Sequence, residues 1–301
     1  MNLAHITKTN ITQIGDPFVI RVGDEYYLYS TCFQDGANIQ GFDCRSSRDL
    51  VHWSDPMPAY RVSKRSFGYT DFWAPEVVYH DGKYLMHYSA RRRSDDTLLV
   101  GVAVSQSPRG PFLDVNEGPM FDFGYAAIDA HVLCDESGSY LFYSRDCSQH
   151  VVEGRHESHI LAVRLDDTLT RVVGDPVPVL KPDCAWETCT GDFRWTEGPF
   201  VAKRGGLYYL MYSSGFYAAR TYSCGYAVAE KPLGPYVKAK NNPFLYSEGE
   251  LSGPGHNCVV TGKDGIDYCV FHVHSYPDRP SQDRRMCFCP VAFGDGVIRQ
   301  L

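Results

Sequence analysis

The chain repeats itself. A polar or acidic residue, a proline or small residue, a short apolar run, a Gly/Asp turn and a Tyr-rich alternating run recur five times. The copies are GDPFVIRVGDEYYLYST (15–31), WAPEVVYHDGKYLMHYSA (73–90), IDAHVLCDESGSYLFYSR (128–145), EGPFVAKRGGLYYLMYSS (197–214) and PGHNCVVTGKDGIDYCVFHVH (254–274). Alternation with period two is the signature of a half-buried strand, and a Gly/Asp turn between two such runs closes a β-hairpin. A further strand and polar turn follow each hairpin, in 44–53, 101–112, 160–172, 225–236 and 285–296. The motif starts, near 16, 76, 129, 197 and 256, lie 60, 53, 68 and 59 residues apart. Repeats of this length built only from strands stack as radial blades, each covering its neighbour's apolar face. Five of them fill the chain. The expectation is an all-β, five-bladed β-propeller, one domain over residues 1–301.

Composition agrees. Apolar residues make up 44% of the 301, enough for a sizeable core and too many for a disordered chain. The net charge of -7 argues against nucleic acid or an anionic membrane surface as partner. No apolar run approaches the ~18 residues of a membrane span. The first residues, MNLAHITKTNITQIGDP, lack the basic and apolar regions of an export signal, so the expected location is the cytoplasm. The 11 cysteines include no CxxC pair and sit mostly in apolar strand-like runs, as free thiols filling a core do.

If five innermost strands converge on a channel, residues at equivalent repeat positions face one another. On the spacing above these are Asp16, Glu76, Asp129, Glu197 and His256. Four carboxylates and a histidine at one mouth are costly, because like charges raise one another's pKa. Structure alone does not require them. The set GDPFV, WAPEV, IDAHV, TEGPF and GPGHN resembles glycoside hydrolase family 43, over residues of all five blades, about 12 to 297. The resemblance implies Asp16 as general base, Asp129 as the carboxylate that tunes the acid's pKa and orients it, and Glu197 as general acid. It implies that His256 lies deep in the channel beside a hydrated metal ion, Ca²⁺ by the chemistry of its oxygen ligands. It also implies a sugar-binding arginine at Arg284, with Arg285 as the alternative. The third motif has Asp-Ala where Asp-Pro is frequent, which leaves its carboxylate in place.

The chemistry is consistent without the family. Inverting hydrolysis of a glycosidic bond needs one carboxylate to activate water and one carboxylic acid to protonate the leaving oxygen, about 6.5–9.5 Å apart. A third carboxylate nearby keeps the acid protonated at neutral pH. Phe33 and Trp73, beside the channel ends of the first two blades, are expected to wall a sugar pocket. Trp195, two residues before Glu197, is expected in the core, and Glu76 in a structural role. The segment 146–159, with His150, His156 and His159, reads as a solvated surface loop, and 60–72 as a loop closing one end of the pocket. Arg91, Arg92 and Arg93 read as a solvated face. His272 and His274 share one side of their strand. Serine-hydrolase, phosphate-loop and dinucleotide motifs are absent.

The expected activity is therefore exo-acting, inverting release of L-arabinofuranose from plant cell-wall arabino-oligosaccharides taken into the cytoplasm. The alternatives are a β-D-xylosidase, a bifunctional xylosidase/arabinofuranosidase or an endo-arabinanase. From another class comes a non-catalytic carbohydrate-binding or interaction propeller, in which Asp16, Asp129 and Glu197 would be dispensable.

Overall fold

A computed structural model describes all 301 residues. Most of its strands form five four-stranded antiparallel blades. Blade 1 runs Ile14–Val22, Glu25–Gln34, Gly41–Ser47, Met57–Arg61. Blade 2 runs Gly68–His80, Lys83–Arg92, Leu98–Ser105, Leu113–Asp114. Blade 3 runs Ala127–Asp135, Gly138–Arg145, His159–Leu165, Val172–Leu180. Blade 4 runs Glu197–Arg204, Leu207–Ser214, Ser223–Ala229, Val237–Lys238. Blade 5 runs Gly255–Thr261, Asp267–His274, Arg284–Gly294, Val297–Gln300. Helix is confined to one 3₁₀ turn at Leu3–His5. The ring closes where Thr7–Lys8 pairs with the third strand of blade 5 and Ile14 pairs with Arg284.

The blades pack face to face through apolar clusters. Tyr27, Phe42, Tyr60, Phe72 and Tyr88 fill the joint between blades 1 and 2. Tyr60 and Tyr88 bring their hydroxyls to Asp114, so these deep rings leave no polar atom unpaired. Eight of the 11 free cysteines are buried, while Cys134 and Cys189 are exposed and Cys184 is half-buried.

The inner strands share one irregularity, and it corrects the expected alignment. Each carries a bulge at the same place, between Gly15 and Phe18, Trp73 and Glu76, Ile128 and His131, Glu197 and Phe200, and Gly255 and Cys258. The residue inside each bulge has a left-handed backbone: Asp16, Ala74, Asp129, Gly198 and His256, with φ from 45° to 57°. These five are the equivalent positions. Glu197 stands one residue before its bulge and Glu76 two residues after Ala74. Aligning on acidic residues had hidden both offsets. Glu76 consequently lines a separate cavity with Phe18 and Phe200 and bonds to His131 Nδ1 at 2.7 Å, a structural pairing.

A repeated latch holds the bulges. Opposite each residue that precedes a bulge, the second strand places Thr31, Ser89, Ser144, Ser213 or His272. That side chain reaches the next blade's bulge. Ala74 N–H donates to Thr31 Oγ1 at 2.8 Å, Asp129 N–H to Ser89 Oγ at 3.0 Å, His256 N–H to Ser213 Oγ at 2.7 Å and Asp16 N–H to His272 Nδ1 at 3.1 Å. At the remaining joint the Asp129 carboxylate intervenes, taking Gly198 N–H at 3.1 Å and Ser144 Oγ–H at 3.4 Å on the same oxygen.

Ser213→Ala is expected to leave the His256 N–H buried without an acceptor, a loss of about 1–3 kcal/mol. At about 2–4 °C per kcal/mol for a chain of this class, the melting temperature should fall by several degrees. An unchanged thermal transition would remove the latch from the account of stability.

Candidate active site

The bulges open into a cavity of about 640 Å³ at one end of the channel, lined by Asp16, Phe33, Trp73, Asp129, Glu197, His256 and Arg284 among others. All seven residues singled out from the sequence meet there. Asp16 is nearly buried and fully bonded. Its Oδ1 accepts from Arg284 Nη1 at 3.1 Å and lies 3.4 Å from His256 Nδ1, and its Oδ2 accepts from Thr31 Oγ1 at 2.5 Å. Burial alone would raise its pKa. Arg284, His256 and the Thr31 hydroxyl outweigh burial and hold it well below the usual carboxylate range.

Glu197 is shifted the other way. Burial first, then the Asp129 carboxylate, push it well above the ordinary value, against the Tyr222 hydroxyl that donates to its Oε1 at 2.8 Å. Asp129 is also raised, by burial and by Asp16, although His256 and the Gly198 N–H oppose this. The cavity thus brings one carboxyl group whose pKa is pulled down beside two whose pKa values are pushed up.

Two partners of these carboxylates stand where a neighbouring strand has no side chain. A Cβ on Gly15 would lie 1.9 Å from Arg284 Nη2, and one on Gly255 would lie 1.9 Å from the Tyr222 ring. Tyr222 also stacks on His272 at 5.7 Å between ring centroids, and His272 Nε2 lies 3.4 Å from Arg284 Nη1. His274, the second histidine of that strand, bonds instead to Ser252 Oγ and the Tyr217 carbonyl.

Several expectations change. Trp195 lines the cavity rather than the core. Residues two apart in an extended chain share a face, so the spacing from Glu197 puts Trp195 on the cavity side and not opposite it. The segment 146–159 is not a solvated loop. Val151–Val152 and Arg155–Glu157 form a hairpin that joins Cys189–Thr190 and Phe193–Arg194 in a small separate sheet. Its histidines are bonded to Glu157 and to the Cys147 carbonyl. Of the segment 60–72 only 62–67 is loop, between the strands Met57–Arg61 and Gly68–His80, and only Thr70 and Asp71 of the whole segment line the cavity. Arg91 is not simply solvated, since it also lines the cavity and pairs with Asp71 at 2.7 Å.

Asp146 was missed. It is a buried fourth carboxylate lining the cavity, and its charge raises both Asp129 and Glu197. It occupies the place in blade 3 that Phe33 holds in blade 1, two residues beyond the latch residue. The signal was present: Thr31 and Ser144 each end a Tyr-rich run, and counting two onward gives both positions.

Around His256 no three His, Cys or carboxylate donors come within ligation distance of one another, and the near oxygens of Asp16 already accept from Arg284 and Thr31. The donor set does not build an inner-sphere Ca²⁺ site, which needs about 6–8 oxygen ligands. It leaves room only for an ion held through water. The donors that do converge, Asp183, Cys184 and Glu187, lie elsewhere, and the Lys238 ammonium already bonds to both acids.

Arg284→Ala is expected to raise the Asp16 pKa, because the largest favourable charge on the carboxylate is removed. Carboxyl ¹³C titration by NMR would read it. An Asp16 signal that titrates as in the unaltered protein would show that Arg284 does not set its charge.

Comparison with known proteins agrees with this geometry. A thermostable family-43 glycoside hydrolase of known crystal structure is 41% identical, with a TM-score of 0.91 over 97% of this chain and 94% of that one. A Bacteroides thetaiotaomicron VPI-5482 structure described as endo-1,4-beta-xylanase is 31% identical, with a TM-score of 0.83 over 97% and 96%. The extracellular exo-alpha-(1->5)-L-arabinofuranosidase ArbA of Cellvibrio japonicus (strain Ueda107) is 26% identical over 88% of this chain and 80% of its own length. The model of glycosyl hydrolases family 43 matches residues 10–298, so the chain belongs to that family and is a glycoside hydrolase.

Proposed function

We propose that this hydrolase releases L-arabinofuranose from the ends of arabino-oligosaccharides with inversion at the anomeric carbon. The observation that carries the reading is the opposite electrostatic setting of two carboxyl groups in one cavity. Asp16 is held ionised and Glu197 is held protonated.

In this mechanism Asp16 takes a proton from a water molecule whose oxygen attacks C1 of the sugar. Glu197 gives its proton to the glycosidic oxygen as the C1–O bond breaks. The cycle ends with Asp16 protonated and Glu197 ionised, and exchange with solvent restores both. Asp129 and Asp146 supply the repulsion that keeps the proton on Glu197 between turnovers. Arg284, Phe33 and Trp73 bind the sugar, the rings through apolar contact and the guanidinium through hydroxyls. Arabinose is favoured by the likeness to ArbA over most of the chain. The likeness to the xylanase-described structure makes xylose the second reading. Action in the cytoplasm on imported fragments is part of the proposal, and the 11 unpaired cysteines suit a reducing compartment.

Asp16→Asn should lower kcat by about 10²-fold or more on every substrate. Glu197→Gln should do the same for oligosaccharides and much less for 4-nitrophenyl glycosides, whose leaving group needs little protonation. Proton NMR should show the inverted anomer first, and a retained anomer would sink the mechanism. A higher kcat/KM on the aryl β-xyloside than on the aryl arabinofuranoside would move the assignment to xylose.

The pH dependence follows from the two shifts. Activity needs Asp16 ionised, and it is lost on the acid side only as pH falls through that depressed pKa. Activity needs Glu197 protonated, and it is lost as pH rises through its raised pKa. Asp146→Asn removes a repulsive charge from Glu197, so the alkaline limb should move to lower pH. A limb that stays in place would remove Asp146 from the tuning.

We also propose a hydrated Ca²⁺ held through water at His256, which when bound would add positive charge beside the carboxylates. Exhaustive chelation should then lower the melting temperature and the activity, and Ca²⁺ should restore both. No change in either would refute the ion.

A further inference from the structure

The small sheet outside the blades carries a row of aromatic rings that leads away from the cavity. Phe193 and Trp195 lie 5.9 Å apart between centroids with planes 16° apart, and Trp195 and Phe216 lie 5.6 Å apart. Tyr217 continues the row inside the cavity, 5.0 Å from Phe216, where Arg284 lies 5.3 Å from its ring. His156 continues it outward, stacked on Phe193 at 4.7 Å. Trp195, Phe216 and Tyr217 line the cavity, whereas Phe193 lies beyond it with 38% of its surface exposed.

The sheet is well fixed. His156 N–H donates to the Asp192 carbonyl at 2.9 Å and His156 Nδ1 bonds to the Cys147 carbonyl at 2.8 Å. Arg194 ties the opposite side to the carbonyls of Glu187 and Cys184. Stacking on His156 covers one face of Phe193, which keeps 38% of its surface exposed beside Trp195 at the cavity wall. Folding does not require a half-exposed phenylalanine on a two-residue strand. A row of rings continuous with a sugar cavity suits the C–H faces of further sugar units, which shed water from an apolar surface as they stack.

We propose that the row formed by Trp195, Phe193 and His156 is a binding platform for the leaving-group side of the oligosaccharide, taking the neutral sugar units beyond the scissile bond. The side follows from chemistry. The row begins two residues from Glu197, the group that protonates the leaving oxygen, and the chain attached to that oxygen must depart past it. The inference rests on the proposed role of Glu197 and extends it: the cavity holds the released sugar, and the platform selects for the length of what is left.

The test compares kcat/KM on 4-nitrophenyl arabinofuranoside, which has no sugar to place on the row, with that on arabino-oligosaccharides of two to six units. The parallel xylose series is run on the same preparations. The unaltered enzyme should gain with length on whichever series it cleaves. Phe193→Ala should lose about tenfold on the longer oligosaccharides and less than about twofold on the aryl glycoside. Phe193→Tyr, which keeps the ring, should retain the length dependence. A flat dependence on length in the unaltered enzyme would overturn the platform alone. So would equal losses on short and long substrates in a Phe193→Ala protein that melts normally. If Phe193→Ala does not fold, a Phe193→Tyr enzyme whose length dependence is lost overturns it, and one that keeps the dependence supports it. No turnover on either series or on either aryl glycoside would overturn the hydrolase reading, and the platform with it.

Discussion

The structure depends on one hydrogen bond repeated around the channel: the N–H of a left-handed bulge residue, caught by a short polar side chain of the preceding blade. Placing Asp16, Ala74, Asp129 and His256 at positive φ costs about 1–2 kcal/mol each, less for aspartate than for alanine. In a regular strand those N–H groups would have ladder partners. The bulge removes the partner, and the latch replaces it while tying two blades together. Local backbone cost, blade-to-blade registry and the aim of the Asp16 and Asp129 side chains are therefore one arrangement. A change at Thr31 touches all three, because its hydroxyl accepts from Ala74 and donates to Asp16.

Electrostatics then separates groups that the fold brings together. Asp16 and Asp129 occupy equivalent backbone positions, Asp129 buried and Asp16 nearly so. Asp16 faces Arg284 and His256, and its burial penalty is more than offset. Asp129 has no arginine beside it, and burial, with the carboxylates of Asp16 and Asp146 added, raises it against His256 and the Gly198 N–H. Two copies of one residue in one backbone geometry thus hold opposite preferences for a proton, decided by what the adjoining blade presents. The two histidines on either side of Asp16 are not interchangeable. The buried His272 imidazole is driven well below its usual pKa and stays neutral, as it must to accept the Asp16 N–H.

The blade count, the first three strands of each blade and the meeting of Asp16, Asp129, Glu197, Phe33, Trp73, Arg284 and His256 were legible because the repeat is carried by backbone patterning. What failed were one-residue questions. Glu76 and Glu197 were placed level with Asp16 because all are acidic, but a bulge shifts register without leaving a compositional mark. Trp195 stands two residues before Glu197, a spacing that means the same face of an extended chain and not the opposite one. Asp146 and the small sheet lay in a stretch of Cys, Ser, Gln and His with no alternation of its own. That sheet is held by side chain to main chain bonds from His150, His156 and Arg194, which local patterning does not report.

A fivefold frame with equal positions would make five equal sites, so the chemistry comes from what breaks the equality. The residues that precede the bulges are Gly15, Trp73, Ile128, Glu197 and Gly255. Glu197 is the only acid among them. The two glycines are where side chains from elsewhere come in: the guanidinium of Arg284 occupies the place of a Gly15 side chain, and the ring of Tyr222 that of a Gly255 side chain. Arg284 then meets Asp16 and Tyr222 meets Glu197. A glycine in one strand thus admits the group that bonds a carboxylate next to it or across the channel: Arg284 holds Asp16 ionised, while Tyr222 tempers the rise of Glu197. Replacing Gly15 or Gly255 by alanine would leave every carboxylate in place and evict its partner. The proton preferences of this site are therefore written as much in two missing side chains as in the acids themselves.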